Sequence, residues 1–222
     1  KTWLSSDDIK GIIKGNEKDY PLTMKEFNKY MHTAHIYLEK MIAIFGKDDF
    51  YVEIQRHKFA AEEYYETVCL ELAEEGAKKI YISSRSEKCE VLSEEINKFY
   101  PGVCVPVRAA DEAGIKKALE ETSVILNLSG LGMKGKEEYT CVDKKLLNPK
   151  HVCFDATYNP AETRFLKEAK EVGATTINGL GMSLYQGLRQ IQLWTGGKAV
   201  PLEVMRDTLM TILAEKAAAE KK

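Results

Sequence analysis

From Phe50 onward, short runs rich in Val, Ile, Phe and Tyr alternate with longer segments whose apolar residues recur every three or four positions. That alternation constrains the fold more than any other feature. A strand covered on both faces reads as a continuous apolar run, and parallel neighbours need a crossover long enough to hold a helix. Strands are expected over 50–55, 79–83, 103–107, 124–127, 152–155 and 175–177. Helices are expected between them over 60–75, 87–99, 112–120 and 162–171. A further helix begins near Met182 and a last one at Pro201, which suits a first helical turn. The expected class is α/β, a Rossmann-like doubly wound parallel sheet with right-handed crossovers and its ligand at the carboxyl ends of the strands.

Residues 1–48 read differently, as an N-terminal helical segment before a Rossmann-like domain over 49–222. Ser5 or Ser6 can cap a first helix whose Asp7 and Asp8 suit its positive end. After Pro21, the residues Met24, Phe27, Met31, Ala34, Leu38, Met41 and Ile42 fall on one helical face, and Gly46 ends the run. His32 and His35 lie three apart there and, with His57, could meet at a metal; isolated helix histidines are more often surface or core residues, and no metal site is assigned.

The 32 basic and 34 acidic residues nearly cancel, and no basic stripe with interleaved aromatics is present, so nucleic acid is not the expected partner. No apolar run reaches the ~18 residues a membrane span needs, so no membrane partner is expected. Five cysteines, an odd number without C-x-x-C spacing, sit partly inside apolar runs such as VCLEL and HVCFD, which implies a reducing, cytoplasmic setting. Lys1–Trp3 leads straight into polar Ser5–Asp8, so no secretory leader is expected. A lysine at position 1 suggests a processed, excised or engineered start.

Three segments could carry chemistry at the ligand edge. NLSGLGM, starting at Asn127, is a polar turn with a glycine pair; Asn127 and Ser129 could bond a ribose or a nicotinamide, or the glycines could serve the turn alone. FDATYNPAET joins a strand to a helix, with Pro160 placed for the first helical position, Glu162 in the first turn and Tyr158 projecting from the edge. In INGLGMSLYQGLRQIQLWT, Gly179 and Gly181 permit close approach of backbone just before a helix, and Gln186 offers both a donor and an acceptor, although a lone helix glutamine is usually solvated.

Taken together, NLSGLGM, TYNPAET and GLGMSLYQGLRQIQLWTGG closely resemble the NATPLGM-like, VYNP-x-x-T and GLGM…QG…WTG motifs of shikimate dehydrogenase, in that family's order and spacing, from about Val68 to Leu213. The resemblance implies an NADP-dependent oxidoreductase of shikimate and 3-dehydroshikimate, in aromatic amino acid biosynthesis. Ser84, Arg85 and Ser86 stand where the family grips the adenosine 2′-phosphate, and the planar guanidinium of Arg85 suits that group. Asn127 and Ser129 fall in the cofactor motif, while Ala156, Gly179 and Met182 match positions around the nicotinamide. Tyr158 and Gln186 match residues that reach a shikimate-like substrate.

Two departures follow from the same alignment. The family's phosphate-loop glycines fall on Ala60, Ala61, Glu62 and Glu63, and no glycine occurs between Phe50 and Cys69. A diphosphate needs bare backbone N–H groups at a helix start, so NADP binding is weakened there. The family's lysine–aspartate pair has no counterpart, so no catalytic residue is assigned. HIYLEKMIAIFGKDDFYVEIQRH instead resembles part of the PHP domain of bacterial replicative DNA polymerases. Two readings stand: an oxidoreductase with impaired or absent turnover, or a non-catalytic chimeric or engineered Rossmann module. The last helix, with Met205, Leu209, Ile212 and Leu213 on one face, is expected to cover the N-terminal segment or to form a homodimer.

Overall fold

The computed structural model describes residues 49–53, 62–194 and 201–219. The polymerase-like stretch up to Asp48, its continuation over 54–57, the helical expectations before Phe50, and His32, His35 and His57 lie outside them. The chain divides into two compact units, one spanning His35–Leu180 and the other Lys1–Ala34 with Gly181–Lys222. Composition drew its boundary at residue 49; the first unit begins at His35, and the passage into the second comes at Leu180–Gly181.

The first unit is built on six strands: β1 (Phe50–Glu53), β2 (Ile80–Ser84), β3 (Cys104–Arg108), β4 (Val124–Asn127), β5 (Val152–Asp155) and β6 (Thr175–Asn178). All five pairings are parallel, and the order across the sheet is β3-β2-β1-β4-β5-β6. The expected strands are all present, those of β2, β3 and β6 with ends displaced by one residue and the last two positions of the first lying outside the described residues, and the order is that of a doubly wound dinucleotide fold. Crossovers are supplied by α1 (Glu62–Glu74), α2 (Lys88–Asn97), α3 (Glu112–Glu121) and α4 (Arg164–Glu171), with a short 3₁₀ turn at Lys144–Leu146 before β5.

Side-chain alternation along the strands separates two apolar layers. Tyr51, Tyr81, Ile125 and Cys153 face one side, where they meet Ala118 and Leu119 of α3 and Phe165, Leu166 and Ala169 of α4. The intervening residues Phe50, Val52, Ile80 and Ile82 are buried as well, and α1 and α2 pack against the β2–β3 half of the sheet through buried Val68, Leu72, Leu92 and Ile96. Phe165 and Leu166, both on the short helix α4, each contribute on the order of 2 kcal/mol by leaving water.

Local chemistry fixes the helix ends. Asp111 caps α3 by accepting from the Gly114 N–H at 2.9 Å. Gly76, at φ 91°, closes α1: its N–H donates to Ala73 and that of Ala77 donates back to Leu72. Two expected helix starts move. α4 begins at Arg164 rather than near Pro160–Glu162, because Thr163 takes the cap and its hydroxyl accepts from Leu166 N–H. Pro160 instead follows a cis peptide bond in the preceding turn.

The second unit's described residues form α5 (Leu180–Trp194), which starts at the last residue of the first unit, and α6 (Leu202–Ala219). The Pro201 carbonyl accepts from Met205 N–H at 3.2 Å, so Pro201 caps α6 rather than opening its first turn. On α6, Met205 is buried, Leu209, Ile212 and Leu213 are half-buried, and a side chain at Gly187 of α5 would meet Met205 Cε at 3.0 Å.

Candidate functional site at the carboxyl edge of the sheet

Parallel register brings the last residues of four strands side by side. Glu53 pairs with Ser83 on one side and Asn127 on the other; Asn127 pairs with Asp155, and Asp155 with Asn178. A polar row therefore runs along the carboxyl edge, where doubly wound sheets receive ligands, and its midpoint between β1 and β4 is the place where the order of connection reverses.

At the β2 end, Ser84 is buried, Ser86 half-buried and Arg85 exposed. The Ser86 N–H donates to Ser84 Oγ at 3.3 Å, tightening the turn that carries the guanidinium outward. Arg108, at the end of β3 and in register with Ser84, places a second guanidinium on this edge, where its Nε donates to Glu90.

In the β4 turn, Asn127 and Ser129 are both fully buried. Asn127 Nδ2 donates to the Leu131 carbonyl (3.1 Å) and to Asp155 Oδ2 (3.0 Å), while its Oδ1 accepts from the N–H and the hydroxyl of Ser129. The Ser129 hydroxyl in turn accepts from Leu131 N–H at 3.3 Å. These two side chains are thus committed to shaping the turn, and the half-buried residues there are Gly130, Leu131 and Met133. Gly132, at φ +87°, lies against Thr163, with space for a Cβ only at 3.0 Å from Thr163 Cβ.

Asp155 ties this turn to the next. Besides Asn127, it accepts from Thr163 Oγ1 at 2.7 Å and from Thr157 N–H at 2.9 Å. Burial raises its carboxyl above the ordinary range, and these three donors pull it back. Tyr158 follows on the exposed side of the same loop. Ala156 and Gly179 meet directly, since a Cβ on Gly179 would collide with the Ala156 carbonyl. Met182 and Gln186 are half-buried on α5, in the second unit.

Sequence reasoning passed over Glu53. It is 4% exposed, accepts from Tyr51 O–H at 3.0 Å, and is pushed up to about 7 by burial, with Ser83, Tyr51 and the Arg85 charge pulling the other way. The Ser83 hydroxyl, also buried, makes no well-formed hydrogen bond among the described residues. The signal lay in FYVEI: an acid inside an apolar strand, two residues from a tyrosine on the same face. Asp155, closing the apolar run VCFD, carried the same signal.

Residues 179–210 match the family described as the shikimate 5′-dehydrogenase C-terminal domain. A shikimate dehydrogenase (NADP(+)) of Alkaliphilus oremlandii is 36% identical over 147 residues, covering 65% of this chain and 51% of the relative. One from Methanosarcina mazei is 37% identical over 147 residues, covering 66% and 51%. The chain therefore spans about half the length of the curated relatives it matches. Among solved structures, shikimate 5-dehydrogenase from Listeria monocytogenes in complex with shikimate and NAD has a TM-score of 0.68 at 26% identity, covering 80% of this chain and 62% of that one. A shikimate dehydrogenase in complex with NADP+ has 0.67 at 29%, covering 83% and 61%. Nothing in these matches supports the polymerase-like reading of the N-terminal segment. Through its six-stranded sheet and the glycine-rich block that follows β6, this chain is similar to the C-terminal domain of shikimate dehydrogenases.

Proposed function

We propose that the carboxyl edge of the sheet binds NADP and that the chain serves as the cofactor-binding part of a shikimate dehydrogenase-type oxidoreductase. The observation that carries this reading is the strand order β3-β2-β1-β4-β5-β6 with Arg85 at the end of β2, where a dinucleotide's adenosine would lie. The residues present fit NADP at two of three places. Arg85, exposed on its serine-flanked turn, would pair with the 2′-phosphate. The β4 turn, Ala156 and Gly179 would bound the nicotinamide, with Asn127 and Ser129 acting by holding that turn. The diphosphate position fits less well, since α1 opens on Glu62 and no glycine occurs between Phe50 and Cys69.

Bound NADP would supply the hydride-accepting ring. Tyr158 would meet a shikimate-like ring of hydroxyls from the first unit, and proton transfer is assigned to no residue of this chain. A reducing, cytoplasmic setting agrees with five free thiols, and among the described residues no helix is long and apolar enough to cross a membrane. Self-association as a homodimer would use the exposed side of α6, where Met210 stands in water. The glycine-free stretch favours a second reading, a Rossmann module that has lost catalysis.

Titration of NADPH fluorescence, followed by an assay of NADP reduction with shikimate, separates these readings. Saturable binding weakened at least about tenfold in Arg85→Ala is expected, the loss of one charge-assisted phosphate contact. Reduction of NADP with shikimate excludes the second reading. No saturation at millimolar NADPH overturns the first.

A further inference from the structure

Strands β2 and β3 end side by side: Ser84 is in register with Arg108, and the Ala109 N–H donates to the Ser84 carbonyl at 3.0 Å. Side chains alternate along β3, and Val107 packs into the apolar layer that α3 and α4 share. Arg108 therefore points to the opposite layer, the one α2 covers. There its Nε donates to Glu90, in the first turn of α2. The Ser84–Ser86 turn leads into the same helix. Two guanidinium groups thus flank one short turn, Arg85 on it and Arg108 on the strand beside it. We propose that Arg108 is a second specificity-determining residue for a nicotinamide dinucleotide, sharing the adenosine 2′-phosphate with Arg85. This role rests on the dinucleotide-binding reading above and adds a residue to it.

The way Arg108 is held leaves it fit for that task. A guanidinium carries five N–H donors in a planar fork. Only Nε is engaged here; among the described residues neither Nη group makes a hydrogen bond, and the side chain is 43% exposed. An edge that can meet two phosphate oxygens at once is therefore open. Glu90 fixes the fork without covering that edge. Its Oε1 accepts from Arg108 and its Oε2 from the Cys89 thiol at 3.0 Å, so both oxygens are engaged locally. Cys89 is buried, and its sulfur lies 3.4 Å from the Ser86 carbonyl, which ties the pair to the turn that carries Arg85. A side chain oriented before its ligand arrives loses less freedom on binding.

The chemistry of the two nucleotides then separates them. A 2′-hydroxyl brings no charge to this place, whereas a phosphomonoester brings about −1.5 to −2 and three acceptor oxygens. A second cation here acts on what distinguishes NADPH from NADH and not on the parts they share. Glu90 and Glu87 both act on the Arg108 charge and offset part of it, so the effect belongs at the low end for a charge-assisted contact.

Dissociation constants for NADPH and NADH, read by fluorescence on the full chain at about pH 8, where the phosphomonoester is a dianion, test the assignment. Arg108→Ala is expected to weaken NADPH on the order of fivefold to tenfold and to leave NADH unchanged. Arg108→Lys keeps the charge but not the fork, and should recover only part of the lost discrimination. In the unmodified chain, nitrogen-15 NMR of the arginine side chains should show the Arg108 Nε resonance moving with NADPH and staying near its free position with NADH. That measurement stands whatever the variants do to folding. An unchanged NADPH-to-NADH ratio in Arg108→Ala, an equal weakening of both nucleotides, or an Arg108 resonance that ignores NADPH overturns the role of Arg108. If Arg85→Ala still weakens NADPH in that event, the dinucleotide-binding reading stands without it. Failure of both nucleotides to bind at millimolar concentration overturns both.

Discussion

Gly179 and Ala156 touch where β6 gives way to α5, and replacing Gly179 with alanine tests that contact. The glycine is not required by its backbone angle, since its φ is not among the positive ones. It is required by space. An added Cβ would lie roughly an ångström or more inside van der Waals contact with the Ala156 carbonyl oxygen, and 3.0 Å from the Ala156 Cα. That oxygen cannot swing aside as a side-chain tip would. The Ala156 N–H is bound to Asn127 O at 3.0 Å and the Gly179 N–H to Thr157 O at 3.1 Å, so the two segments are held from both sides. Relief requires the β5 and β6 loops to part, with loss of at least one of these bonds. Overpacking against backbone, plus one hydrogen bond, costs about 3 kcal/mol or more. For a chain of this size that is a fall in Tm of about 6–12 °C. Urea unfolding followed by circular dichroism reads the cost directly. Gly135→Ala supplies the control: φ there is +82° with nothing within 4 Å, so only the dihedral penalty of about 1–2 kcal/mol should appear. A Gly179→Ala protein within about 0.5 kcal/mol of the parent would refute the close approach.

Glu53 also leaves a signature in stability. Its folded carboxyl titrates at about 7, against an ordinary 4.5, so between those values the unfolded chain has released a proton that the fold retains. Stability is then greatest below the ordinary carboxyl value, declines as pH rises toward 7 and levels off above it, by about 3 kcal/mol at most. Urea midpoints from pH 4 to 8 check the sign; a contribution that grows with pH and is abolished in Glu53→Gln would contradict it. Thr163→Val removes both the cap of α4 and a donor to Asp155, with an expected loss of about 2 kcal/mol. Equilibrium unfolding measures that loss, and a neutral result would mean that water replaces the hydroxyl at no cost.

The sheet was legible because its signals are local and repeated. Apolar runs of four or five residues, set between amphipathic helices, leave little choice but a parallel arrangement covered on both faces. The motif residues Arg85, Tyr158 and Gly179 were found at the ends of strands or just beyond, as their positions in the sequence implied. What escaped was of another kind. Asn127 and Ser129 read as ligand groups because they are polar and near glycines, yet the fold turns them inward onto each other and onto Leu131. A polar residue in a turn has two outlets, solvent-facing ligand or its own backbone, and composition does not choose between them. The importance of Glu53 and Asp155 depends on which neighbours the register sets beside them, and those neighbours lie tens of residues away in the chain. The start of α4 moved for a related reason. Pro160 and Glu162 are good first-turn residues, but Thr163 can satisfy the helix and the buried Asp155 at once.

The three donors gathered on Asp155 come from separate stretches: the close of β4, the loop after β5 and the first turn of α4. One carboxylate therefore acts as a keystone. None of those stretches can shift alone without stripping a partner from a charge that has no water to fall back on. Whatever settles on this rim meets a single stiff lip rather than three independent loops, and displacement begun at Asn127 is transmitted to Thr157 and to the helix that Thr163 starts.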